Sequence, residues 1–210
     1  MSRPKLLVAT RNPGKQREIH QLLADTACEP VFPDDRGLWE RPEEAGIEDA
    51  GSFEGNARRK AEYFAKLARM PTLAEDSGIE VFALGGAPGV HSRRFALPTT
   101  DPREQDAANN AELLRRLGGA PPERRRARYR CVAVFLARYD AMPRTFEGTC
   151  TGRILEAPQG TGGFGYDPVF FSDDLAKSFG DATPEEKAGV SHRGRAIAAF
   201  AAWLAARGLG

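Results

Sequence analysis

Thr72-Leu73-Ala74-Glu75-Asp76-Ser77-Gly78-Ile79-Glu80-Val81 reads as an apolar run ending in two carboxylates and a Ser-Gly turn, followed by an alternating apolar and acidic strand. Acidic side chains are costly to bury unpaired, so a strand that ends in two of them is expected to offer them to solvent, a cation or a substrate. Alternation along the strand sets Glu75 and Asp76 on opposite faces and leaves one of them at a site. Asp76 is the better candidate, because Ser77 and Gly78 beside it let a ligand come close to the backbone.

Upstream, Leu6-Leu7-Val8-Ala9 reads as a strand, Thr10-Arg11-Asn12-Pro13-Gly14-Lys15 as a loop, and the next residues as a helix with Ile19, Leu22 and Leu23 on its apolar face. A polar loop feeding a helix N-terminus suits an anion, because free N–H groups and the helix dipole favour phosphate. It is not a Walker A loop: Ala9 stands where the first Gly would be, and Gln16 replaces the hydroxyl that would hold magnesium. On this segment alone an ordinary strand-to-helix turn is an equal reading. Residues 28–51 read as an acidic surface connection with Val31-Phe32 as a strand remnant. They deliver Glu48 and Asp49 to a helix that starts near Ser52 and buries Phe53, Ala57, Ala61, Phe64 and Ala68, with Asn56 and Lys60 on a neighbouring stripe.

Downstream, residues 84–94 form a turn-rich loop, and Asp101-Pro102-Arg103-Glu104 starts a helix whose packing face is Ala107, Ala111, Leu114 and Leu117. The basic run Glu123 to Arg130 contains one aromatic, Tyr129, and reads as a solvated loop leading into a strand at Cys131 to Leu136, not as an RNA-binding patch. Thr145 to Thr151 and Arg153 to Glu156 read as a hairpin. Gly160, Gly162 and Gly165 fit G-x-G-x-x-G, but a dinucleotide fingerprint needs a strand immediately before it and a helix after it, and neither is expected here. The segment reads instead as a flexible rim that sets Phe164 or Tyr166 against a flat ring, with Asp167 able to accept a ring N–H. Thr183-Pro184-Glu185-Glu186-Lys187 opens a short capped helix. Ser191-His192-Arg193-Gly194 caps a last helix that buries Ile197, Phe200, Ala201 and Leu204, and Lys187, His192 and Arg193 together suit an anion or a polar ring.

With 210 residues, 41% of them hydrophobic, the chain can bury one sizeable core, or two lobes sharing a cleft. Thirty Lys and Arg against 29 Asp and Glu give no push toward nucleic acid or membrane. Cys28, Cys131 and Cys150 lack a C-x-x-C spacing and are expected to be buried, reduced thiols. No apolar run is long enough to span a bilayer, so a soluble cytoplasmic protein is expected. Among the 30 cations only six are Lys, and Lys15, Lys60 and Lys187 all fall in motif-like segments, where an ammonium point charge suits phosphate.

Taken in order, these segments resemble the Ham1-type inosine triphosphate pyrophosphatase family, the non-canonical purine NTP pyrophosphatases. The resemblance rests on Thr10 to Lys15, Phe53 with Asn56-Ala57 and Lys60-Ala61, Asp76-Ser77-Gly78, Gly86-Ala87-Pro88-Gly89, Gly162 to Pro168 and Ser191-His192-Arg193-Gly194. It implies a single domain over residues 1–210 with a mixed α/β fold, a long twisted central sheet, flanking helices and two lobes around a nucleotide cleft, usually as a homodimer. It implies Mg²⁺-dependent hydrolysis of ITP, dITP and XTP to the monophosphate and pyrophosphate. Thr10, Arg11, Asn12, Pro13, Gly14 and Lys15 would then hold the triphosphate, assisted by Lys60. Glu48 and Asp76 would bind magnesium, with Asp76 also the proton acceptor, and Ser77, Phe164, Gly165, Tyr166, Asp167, Lys187, His192 and Arg193 would bind substrate. The chain departs from the family pattern at Glu75, often Asp, and around Glu48-Asp49, which leaves both as candidates for the second metal ligand. A non-catalytic nucleotide sensor and a pyrophosphatase for another nucleotide are the alternatives.

Overall fold

The computed structural model describes residues 3–209. Strand β1 (Lys5–Val8) is apolar and buried after its first residue, as a central strand requires, and it leads through Thr10–Asn12 into helix α1 (Pro13–Leu22). Strand β2 (Glu29–Val31) follows, then an irregular segment with two short 3-10 turns, Asp34–Arg36 and Pro42–Gly46. Helix α2 (Phe53–Ala68) begins, as expected, at Ser52, which caps it by accepting a hydrogen bond from the Gly55 N–H at 3.1 Å.

Strand β3 (Thr72–Val81) runs without interruption through Ser77 and Gly78, so the turn expected there does not form. It is an interior strand whose register with β1 ends at Leu73, and a turn at Ser77-Gly78 would forfeit the backbone pairing it makes along its other edge. After it come helix α3 (Pro102–Arg116), strands β4 (Arg126–Leu136) and β5 (Arg144–Ile154), strands β6 (Phe170–Ser172) and β7 (Lys177–Ser178), and helices α4 (Pro184–Val190) and α5 (His192–Arg207). The seven strands hydrogen-bond in the order β2-β1-β3-β4-β5-β6-β7. Strand β1 is parallel to β2 and β3, whereas β6 is antiparallel to β5 and β7, so the sheet is mixed as expected.

Three other expectations fail for identifiable reasons. The anticipated hairpin at 145–156 is one strand, β5, because Gly152 serves close packing and not a turn. A Cβ there would lie 2.1 Å from the Phe171 carbonyl oxygen and 2.7 Å from the Phe170 ring. In the basic run, Arg125 is buried and donates to the carbonyls of Leu117, Ile154 and Leu155. From Arg126 onward the run is already strand, its cations paired with Asp173 and Glu80. In α3, Ala107 and Ala111 are exposed, and the inward face carries Asn109, Asn110, Leu113 and Leu117. Asn109 accepts from the Phe95 and Ala96 N–H groups and donates to the Arg93 carbonyl, a bracket that apolar periodicity does not reveal.

The chain divides into two compact units. The first takes the segment ending at Asp76, Cys131–Gly148 and the segment from Arg193 onward. Its core sets Leu6, Val8, Ile19, Leu73, Phe135, Ile197, Phe200 and Leu204 together, so both α1 and α5 bury the faces their spacing indicated. The second takes Ser77–Arg130 and Thr149–His192, with a core of Ile79, Val81, Leu113, Tyr129, Ile154, Val169, Phe170 and Phe179. All three cysteines are buried and none forms a disulfide, as expected. Among the described residues, no helix is long and apolar enough to cross a membrane.

Candidate active site

In the first unit the loop after β1 is braced by its own polar groups. The Asn12 side chain caps α1 by accepting from the Lys15 N–H at 3.0 Å, and the Thr10 hydroxyl accepts from the Asn12 N–H at 3.2 Å. The Asn12 and Lys15 N–H groups are thereby engaged within the loop, and the Lys15 side chain and the α1 dipole add attraction for an anion. The Lys15 ammonium reaches Glu75 on β3 at 2.9 Å.

Glu75, the carboxylate not preferred for the site, is the hub of a buried charge cluster. It is 2% exposed, lies 3.5 Å from the Arg193 guanidinium as well as beside Lys15, and accepts a hydrogen bond from the Cys131 thiol. Burial alone would raise its pKa, but Lys15, Arg193 and Lys60 outweigh that and hold the carboxyl far below the usual carboxylate range. Arg193, at the start of α5, also pairs with Glu18 of α1. Three elements, α1, β3 and α5, are thus joined through charges that balance one another away from water.

Asp76 is also buried, not offered to solvent, at 7% exposure. Its carboxylate accepts from the Asn56 side-chain amide at 2.8 Å, and the other end of that amide accepts from the Ala50 N–H at 2.8 Å. Asn56 therefore fastens both Asp76 and the segment that carries Glu48. Lys60, one turn further along α2, donates to the Glu75 carbonyl at 3.1 Å and pairs with Glu48. Burial raises the Asp76 pKa and Glu48 adds to the rise, while Lys15, Lys60 and Asn56 pull it down.

Among the described residues, no group of three or more His, Cys, Asp or Glu is arranged to hold a metal ion. Glu48 and Asp76 are instead two carboxylates close enough for one to perturb the other. That donor set fits Mg²⁺, a hard cation that binds through one or two carboxylates and completes its shell with water and phosphate oxygens. Asp49 is exposed, and Glu48 is the one that pairs with Lys60.

The second unit holds the other expected residues. Asp167, 2% exposed, accepts from the Phe164 N–H at 2.8 Å and pairs with Lys187 of α4. The Lys187 ammonium lies 5.0 Å from the Phe164 ring centroid, within cation–π range. Gly165 is gripped by α3, its N–H donating to Asp106 at 2.8 Å and its carbonyl accepting from Asn110 at 3.0 Å. The segment expected to be a flexible rim is thus clamped, and it lacks an immediately preceding strand or a following α-helix, as the rejection of a dinucleotide fingerprint requires. Phe164 is half-buried, whereas Tyr166 is turned inward with its hydroxyl donating to the Ser92 carbonyl at 2.7 Å. His192 lies flat on Tyr129, centroids 4.5 Å apart and planes 6° apart. Ser77 is half-buried on β3. The exposed Ala107 and Ala111 line, with Phe164, a cavity of about 560 Å³.

The structure thus gathers Lys15, Glu48, Lys60, Asp76 and Arg193 in the first unit and Phe164, Asp167 and Lys187 in the second. Sequence reasoning missed Asn56, Glu75, Asp106 and Asn110 as members of these sets. For Asn56 a signal existed in its position one helical turn before Lys60.

The Ham1 family profile matches residues 6–203. A dITP/XTP pyrophosphatase of Syntrophobacter fumaroxidans is 46% identical over 192 residues, covering 91% of this chain and 78% of that protein. One from Thermus thermophilus is 45% identical over 196 residues, 93% of this chain and 89% of that protein. Among solved structures, a HAM1 protein from Coxiella burnetii superposes with a TM-score of 0.83 at 30% identity, over 97% of this chain and 99% of that one. The nucleoside-triphosphatase (dITP/XTP pyrophosphatase) of Mycobacterium abscessus gives 0.70 at 39% identity, over 93% and 98%. With the family profile spanning nearly its whole length and relatives of this identity covering more than nine-tenths of it, the chain belongs to the Ham1 family.

Proposed function

We propose that this chain hydrolyses non-canonical purine nucleoside triphosphates, dITP, XTP and ITP, to the monophosphate and pyrophosphate, working as one pyrophosphatase domain over residues 1–210. The observation that carries the reading is the first unit's gathering of two carboxylates, Glu48 and Asp76, beside two ammonium groups, Lys60, which pairs with Glu48, and Lys15, which pairs with Glu75 and acts on Asp76 through its charge. Acidic groups would repel a triphosphate unless a cation lay between them, so their presence beside two lysines favours turnover over mere binding. Extensive similarity to dITP/XTP pyrophosphatases supports the substrate class. Assembly as a homodimer in the cytoplasm goes with the family resemblance.

Glu48 and Asp76 would hold Mg²⁺, which when bound neutralises phosphoryl oxygens and the leaving pyrophosphate. Lys15 and Lys60 place positive charge against the phosphate oxygens, with Lys15 oriented by Glu75 and Lys60 by the Glu75 carbonyl. The Asp76 carboxylate, held by Asn56, accepts a hydrogen bond from the attacking water. No protein nucleophile is needed for such a displacement. In the second unit Phe164 offers a face for the purine ring, Asp167 an acceptor for its N1–H and Lys187 a donor for O6. Adenine presents the opposite pattern, leaving buried groups unpaired at about 1–3 kcal/mol each.

The test is pyrophosphate release from ITP, dITP, XTP, GTP, ATP and dTTP, with Mg²⁺ and with chelator. Metal-dependent release confined to the first three is expected, and Asp76→Asn should lower turnover far more than nucleotide affinity. Binding without release would make the protein a sensor, and release from another nucleotide would overturn the substrate assignment.

A further inference from the structure

Arg11 sits in the loop expected to grip the triphosphate, yet its guanidinium is occupied elsewhere. A guanidinium offers five N–H donors. Nε donates to Glu44 at 2.8 Å, and Nη2 donates both to the other Glu44 oxygen and to the Leu38 carbonyl, each at 2.8 Å. Nη1 donates to Asp34 at 2.7 Å. The Glu44 contact is the bidentate fork that gives an arginine–carboxylate pair its strength and direction, and Glu44 itself is only 11% exposed at the side chain. Four of the five N–H groups are thus committed to Glu44, Leu38 and Asp34, and turning the fork toward a phosphate would leave Glu44 without its cation.

The contacts all go to the irregular segment between β2 and α2. Glu44 lies in the 3-10 turn Pro42–Gly46, where it also caps the turn by accepting from the Arg41 N–H. Four residues later comes Glu48, and two residues after that Ala50, whose N–H is fixed by Asn56. Glu48 therefore hangs between two anchors, Arg11–Glu44 on one side and Asn56–Ala50 on the other. Glu48 itself pairs with Lys60, and in a segment with this little regular structure the two anchors set where its carboxylate meets that ammonium.

We propose that the Arg11 side chain is a positioning residue that ties the Thr10–Lys15 loop to the segment 34–44 and thereby sets Glu48, and that it does not bind the triphosphate itself. This rests on the pyrophosphatase reading above, in which Glu48 is a ligand of the cation. The loop that meets phosphate and the segment that meets metal are then one mechanical piece.

The experiment is a double-mutant cycle with Arg11→Ala, Glu44→Ala and the pair, joined by Arg11→Lys. Two quantities are read: amide hydrogen exchange over residues 34–50 in the protein without nucleotide or metal, and the Mg²⁺ concentration giving half-maximal ITP hydrolysis. Each single variant is expected to speed exchange over 34–50 and to raise the Mg²⁺ requirement by about tenfold or more. The double variant should be no worse than either single one. Arg11→Lys should resemble Arg11→Ala, because an ammonium cannot reproduce the fork. Unchanged exchange over 34–50 overturns the proposal, as does a KM for ITP that Arg11→Ala raises equally with and without Glu44, or that Arg11→Lys restores. Exchange in peptides from α5 reports whether the variants remain folded. If the parent protein proved inactive on ITP the pyrophosphatase reading would fall, while the exchange cycle would still decide whether Arg11 tethers the segment.

Discussion

Glu75→Gln removes one charge from the buried cluster and keeps its volume. Lys15, at 2.9 Å, and Arg193, at 3.5 Å, then face each other with only Glu18 left to balance Arg193. Removing one partner of a buried ion pair costs about 3–5 kcal/mol, and because the glutamine oxygen can still accept from Lys15 the lower end, about 3 kcal/mol, applies. For a chain of this size each kcal/mol moves the melting temperature by about 2–4 °C, so Glu75→Gln should melt about 6–12 °C below the parent. The assay is thermal unfolding at pH 7 without nucleotide or metal, repeated for Lys15→Met and for the double variant. The double variant should recover part of the combined loss, since it deletes a cation along with its anion, with a coupling of about 0.5–3 kcal/mol. A Tm within about 2 °C of the parent, or losses that simply add, would show that Lys15 and Arg193 do not depend on Glu75.

Gly163 has φ of +72°, and a Cβ there would lie 2.1 Å from the Asp167 carboxylate. Gly163→Ala should therefore cost about 1–3 kcal/mol for overpacking on top of about 1–2 for the left-handed backbone, and should raise the KM for ITP by displacing Asp167 from Phe164 and Lys187; an unchanged KM would detach Asp167 from base recognition. A different sign is expected at Asp106, whose pKa burial holds above the ordinary range against the pull of the Gly165 N–H and Arg93. A raised folded-state pKa means that the ionised carboxylate costs stability, which is lost as pH rises from about 3.9 through the folded value. Asp106→Asn, whose amide oxygen can still accept from Gly165, should raise Tm at pH 7 and leave it unchanged at pH 3; equal shifts at both would remove burial as the cause.

Elements whose signals are local were legible in the amino-acid order. Asp101 and Thr183 cap the helices that were expected to start there, and α1 and α5 bury the stripes their spacing marked. The misreadings arose where tertiary packing reverses the usual meaning of a residue. Ser77-Gly78 is turn punctuation in isolation but sits within β3, and Gly152 admits the Phe170 ring where a hairpin was expected. In α3 the alanines face outward because Asn109 and Asn110 are needed inward to bind loop backbone. Lys15, Lys60 and Asp76 in the first unit's cluster and Asp167 and Lys187 in the second's stand at positions that order alone singled out. It did not reveal their supports: Arg193 and Glu18 are 175 positions apart, and no periodicity joins them.

The first unit's discontinuity bears on how the protein is made. Its opening strand and helix cannot complete their core until Ile197, Phe200 and Leu204 of α5 have been added. At about 5–20 residues per second, the interval between synthesis of α1 and of α5 is on the order of ten to forty seconds. Over that time Leu6, Val8 and Ile19 lack their final cover, and Glu75 has no Arg193 to meet. Such sequence-distant closure is slow and exposes apolar strands, which makes the nascent chain a candidate for chaperone attention. It also means that the charged cluster stays incomplete in any nascent fragment that lacks Arg193, so catalytic competence would arrive only once α5 has been added.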